Sequence, residues 1–108
     1  MSAPFVTQLR AAPAPINLAE PGPGTITLRV EASDIWETVR VIARAETPVA
    51  EMKKRVVERL FPNHQYADDF VLKLRGWEVL DERSSLAESG LVDGSILLLA
   101  YRRRRAVR

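Results

Sequence analysis

Cysteine is absent from this 108-residue chain, and histidine occurs once, at His64. That excludes a disulfide frame, a thiolate nucleophile and any cysteine-ligated metal. A single imidazole near Asp68 and Asp69 is too small a ligand set for a metal centre, so a plain surface loop is expected there. Long apolar runs are missing too, and nothing approaches the ~20 residues that a membrane helix needs. The first ten residues lack the basic flank and continuous apolar stretch of a secretory signal, so a cytoplasmic location is the expectation. There is no phosphate-binding glycine loop, and the serines fall at turn or cap positions. No catalytic set, cofactor site or enzymatic activity is expected from such a chain.

An excess of positive charge is found in only one place. Arg102, Arg103, Arg104, Arg105 and Arg108 all lie in the last seven residues, and removing these five from the net charge of +2 leaves −3 over residues 1–101. The basic character belongs to a tail. A nucleic-acid face would spread its cations over a surface, so nucleic acid is not the expected partner. The tail itself suits contact with an anionic surface through Arg102, Arg103, Arg104 and Arg105, or is simply solvated.

Five of the seven prolines (Pro4, Pro13, Pro15, Pro21, Pro23) sit in residues 1–24, which read as an extended arm. The pattern changes at Thr25. Ile26, Leu28 and Val30 alternate with polar residues, and Val39, Val41 and Ala43 do so after a turn around Asp34, predicting an antiparallel hairpin. Trp36, in that turn, is expected to fold back over the edge of the core. Thr47-Pro48 predicts a helix start capped by the threonine, and Val49, Met52, Val56 and Leu60 give the helix one apolar stripe. Lys53 and Lys54 are assigned to its solvated faces. Phe70, Leu72 and Leu74 then predict a strand, Gly76 a tight turn, and residues 78–80 a short partner strand. Ser84–Ser89 reads as one helical turn stopped by Gly90, and Asp93-Gly94 turns into a final apolar strand, residues 95–101.

These motifs together resemble the ubiquitin-like β-grasp family. Thr47-Pro-Val-Ala-Glu-Met-Lys53 is similar to the family's entry into its one long helix. Leu72-Lys-Leu-Arg-Gly-Trp-Glu-Val-Leu-Asp81 is similar to its third strand and turn, and Ser85-Leu-Ala-Glu-Ser-Gly-Leu-Val-Asp-Gly-Ser-Ile-Leu-Leu-Leu99 to its closing segment. The resemblance covers residues 25–101 and implies an α+β fold of order ββαββ, a mixed sheet packed on one main helix. The arm (1–24) and the arginine tail (102–108) would flank it. The closing turn Ser89-Gly-Leu-Val-Asp-Gly94 also resembles the bacterial YukD-like subgroup associated with type VII secretion. Modifiers in the family end in Gly-Gly, whereas the last glycine here is Gly94, so conjugation by an activating enzyme is not expected.

The resemblance implies a non-catalytic module that binds a protein partner through the outer face of its sheet. In the last strand, taking Ile96, Leu98 and Ala100 as core leaves Leu97, Leu99 and Tyr101 outward. The expected contact patch is then Leu97, Leu99 and Val71 with Trp77, rimmed by Lys73 and Arg75. The competing use of these leucines is as a seat for the N-terminal arm. The partner's identity and the oligomeric state are not specified by these patterns.

Overall fold

A computed structural model describes residues 14–63 and 66–102. Its centre is the hairpin of β2 (Thr25–Ala32) and β3 (Glu37–Arg44), paired antiparallel with Leu28 opposite Val41 and Val30 opposite Val39. These apolar positions share one face and are fully buried, while Arg29 and Arg40 stand opposite each other on the other face. The alternation in the sequence is thus realised as one dry and one wet face.

Helix α1 (Val49–Leu60) covers the dry face with Val49, Met52, Val56 and Val57. Burying each such side chain contributes about 1.5–3 kcal/mol before entropy is counted. The helix start differs from expectation. Pro48 holds the cap position with extended backbone (φ −64°, ψ 143°) and no side chain caps the free amides. Carbonyls of the following loop take that role: Val49 N–H donates to Ser84 O at 2.9 Å and Ala50 N–H to Glu82 O at 2.8 Å. The loop after the third-strand turn is thereby pinned to the helix start.

Lys53 also departs from expectation. It is 1% exposed, and its Nζ donates to Glu82 Oε2 at 2.8 Å. The ammonium is held inside by the same loop that caps the helix. An ion pair in this setting is costly to break, because the surviving charge loses its partner without regaining water.

Strands β4 (Phe70–Leu74), β5 (Trp77–Glu78) and β6 (Ile96–Tyr101) complete the sheet, with a 3₁₀ turn at Ala67–Asp69 before β4. Arg75 (φ 53°) and Gly76 (φ 85°) form the two-residue turn between β4 and β5. Both sit in the left-handed region that such turns demand. The segment read as a helical turn is closed by reciprocal bonds: Ser85 Oγ accepts from Glu88 N–H, and Glu88 Oε1 accepts from Ser85 N–H. This capping box, followed by Gly90 at φ 91° and Leu91 N–H to Leu86 O, buries Leu86 and Leu91.

A sixth strand lies inside the block read as an arm. Ile16–Asn17, here β1, pairs parallel with β3, and Ile16 is 4% exposed within the core. Arg59 Nη1 donates to Ala14 O at 2.7 Å, tying this segment to α1. The strand order is β1-β3-β2-β6-β4-β5, so a two-residue strand forms each outer edge.

Trp36 does not fold back over the core. It is 91% exposed and holds φ 56° at the end of the β2–β3 turn. The left-handed region costs a side-chain-bearing residue about 1–2 kcal/mol, a cost glycine does not carry.

Candidate functional site

The orientation of β6 decides which residues face outward. Asp93 Oδ1 accepts from Thr27 N–H at 2.7 Å, Gly94 N–H donates to Thr27 O at 2.7 Å, and Arg29 N–H donates to Ser95 O at 2.9 Å. These bonds lock a parallel register in which Val30 lies beside Leu97 and Ala32 beside Leu99. Leu72 and Leu74 flank the same two leucines from β4. Cross-strand partners share a face, so Leu97 and Leu99 lie beneath the helix, both fully buried. The expected patch is corrected on this point: Leu97 and Leu99 are core, and the outward residues are Ile96 and Leu98. The final strand is apolar at both parities, so its own alternation carries no facing signal. The facing was nevertheless readable from the closing motif, whose last apolar position falls on Leu97.

The outer face has an apolar centre with a surround that is mainly cationic but includes Glu31 and Glu78. Ile96 is half exposed, and Leu98 lies between Glu31 on β2 and Lys73 on β4. Val71 shares this face beside Ala100 but is only 6% exposed, so it supports the patch from below. A groove of about 550 Å³ runs between the β4–β5 turn and the start of β6, lined by Lys73, Arg75, Val92, Ser95, Ile96 and Leu98. Arg29 and Arg40 stand directly opposite each other beside Ile96, and neither pairs with an acid among the described residues. Adjacent like charges destabilise a sheet. Sequence reasoning missed Ile96 and Leu98 because it inverted the facing of the last strand, and Arg29 and Arg40 because the strand pairing that brings them beside Ile96 joins residues far apart in the chain.

Trp77 is separated from this patch. It pairs with Leu74, a helix-side position, and is 79% exposed at the sheet edge. There it lines a second groove of about 450 Å³ with Leu80, Asp81, Ser84 and Glu88. Of the arginine tail, Arg102 donates to Asp68 O through Nε and lies 3.4 Å from Glu78 Oε2. Arg103, Arg104, Arg105 and His64 lie outside the described residues. Among the described residues no group of His, Asp or Glu is placed to hold a metal ion, and no helix is long and apolar enough to cross a membrane.

With this geometry in place, the comparisons with known proteins agree on the fold. The ubiquitin of Caldiarchaeum subterraneum matches with a TM-score of 0.63 at 15% identity, over 77% of this chain and 100% of its own. The N-terminal ubiquitin-like domain of the 4931431F19Rik protein matches at 0.62 and 21% identity, over 91% of this chain and 96% of its own. A ubiquitin-like domain from Arabidopsis thaliana matches at 0.62 and 17% identity, over 84% and 93% respectively. No protein-family model and no curated protein matches the sequence. The chain therefore has the ubiquitin-like β-grasp fold, an α+β architecture with a mixed sheet on one main helix.

Proposed function

We propose that the protein is a non-catalytic interaction module that docks a protein partner on the outer face of its sheet. The observation that carries this reading is the composition of that face: half-exposed Ile96 next to Arg29 and Arg40, which pair with no acid among the described residues, with Lys73 and Arg75 across the groove. An apolar anchor inside a cationic rim suits a partner segment that presents an apolar side chain flanked by carboxylates. The closing turn Ser89–Gly94 supports a narrower placement, as a cytoplasmic accessory of a bacterial secretion system of the YukD-like kind.

The test is an Ile96→Glu, Leu98→Glu double variant used as bait against the tagged wild type. Capture of acidic partners should fall to background while the far-ultraviolet circular dichroism spectrum stays unchanged. Capture at the wild-type level by a folded double variant would end this reading.

A further inference from the structure

Arg29 and Arg40 are cross-strand partners on the outer face of the β2–β3 hairpin. The N–H of Arg29 is turned away from β3 and donates to Ser95 O, so the two arginines exchange no backbone hydrogen bonds. Pairs of this kind have the shorter of the two antiparallel spacings, with Cα atoms about 4.5 Å apart and side chains close together. Both side chains are exposed. All 14 aspartates and glutamates of the chain fall among the described residues, and none is within ion-pair distance of either guanidinium. Glu31 is two residues along β2, and Asp93 is bonded to Thr27 N–H, yet both leave the arginines without an acid. A cavity of about 190 Å³ opens at the pair, lined by Thr27, Leu28, Arg29, Arg40, Gly94 and Ile96. Gly94 and Ile96 also line the larger groove that runs to Lys73, so the two hollows adjoin.

We propose that this cavity receives a phosphoryl group carried on a side chain of the partner segment, bridged between the guanidinium forks of Arg29 and Arg40. The inference rests on the docking face described above and names the group the partner presents there. Like charges opposed across a sheet work against folding, and an anion bound between them removes that opposition. A carboxylate carries one charge and is satisfied by a single fork. A phosphoryl group carries about −1.5 to −2 at pH 7 with three acceptor oxygens, enough for two forks. Thr27 brings a hydroxyl to the same wall.

The surroundings select a peptide over other phosphates. A nucleic-acid strand calls for rings on which bases stack, and the outward neighbours of the pair on this face, Thr27, Thr38, Ile42 and Ile96, are all non-aromatic. Free phosphate would leave the adjoining groove empty. There Ile96 and Leu98 can take an apolar residue next to the phosphorylated one.

The experiment titrates the full chain, by fluorescence anisotropy, with short degenerate peptide pools fixed only at a central phosphoserine, serine or glutamate. The phosphoserine pool should bind at least about tenfold more tightly than the other two, the scale of one charge-assisted hydrogen bond. Arg29→Gln and Arg40→Gln should each erase that preference, with the thermal midpoint unchanged or raised because each relieves a like-charge pair. Arg40→Lys keeps the charge without the fork and should retain only part of the preference. Equal binding of the phosphoserine and glutamate pools would overturn the proposal, as would a preference that survives both glutamine variants. Inorganic phosphate or a single-stranded oligonucleotide bound as tightly as the phosphoserine pool would overturn it too. The Ile96→Glu, Leu98→Glu variant separates the two readings. Partners that need Ile96 and Leu98 but are captured equally after phosphatase treatment sink the phosphoryl site and leave the docking face standing. A phosphoserine preference undiminished in that variant upholds the phosphoryl site and removes the docking face.

Discussion

Ile96 and Leu97 are neighbours in one strand, yet the first is half exposed beside two arginines and the second is sealed beneath the helix. Leu98 and Leu99 repeat the contrast. Nothing in the side chains themselves distinguishes the two pairs. The difference is made in the turn just before the strand, where Asp93 and Gly94 fasten to Thr27 and set the parity of everything that follows. A shift of one residue would exchange core and surface along the whole strand. Which residues the outer face presents therefore depends on a register lock as much as on the residues themselves.

The sharpest way to break the comparison is to shorten one leucine of each kind. Leu99→Ala should lower stability by about 2–5 kcal/mol, because it empties a fully packed site, whereas Leu98→Ala should cost well under half as much in the same urea titration. Equal losses would show that the two faces of β6 are not distinct. A smaller effect is expected at the buried ion pair. Glu82→Ala leaves the Lys53 ammonium without its acceptor and should cost about 1–3 kcal/mol, moderated because Glu82 reaches water. Adding Lys53→Met should restore part of that loss. The smallest change sharpens the view of the wet face. Arg29→Glu places a carboxylate opposite Arg40 and should raise stability by about 0.2–1 kcal/mol, while weakening capture of an acidic partner. A variant that is stabilised and still binds would show that the arginine pair has no part in recognition.

Much of the frame was legible in the residues. The strand alternation from Ile26 to Ala43, the helix stripe and the glycine turns all survive in the structure, because each repeats a period against a polar background. Three features were illegible for separate reasons. Lys53 sits on the buried side of α1 because a loop distant in sequence brings Glu82 to its ammonium, and no local pattern announces such a partner. Ile16 is hidden in a proline-rich stretch whose composition suggests an arm, although one well-placed side chain suffices to join the core. Trp36 follows the preference of neither its backbone nor its ring, and positions where local preferences are overruled are where function is most often found. The candidate face was half readable: Lys73 and Arg75 line its groove, Val71 lies on the face but largely covered, and the apolar centre was displaced by one residue.

The outermost strands, Ile16–Asn17 and Trp77–Glu78, have a consequence for strand addition. A strand of two residues, one bounded by Pro15 and the other by the Gly76 turn, gives a newcomer almost no backbone ladder to extend. Among the described residues the sheet therefore offers little rim for another strand to add to, and its broad surface is the flat of the sheet.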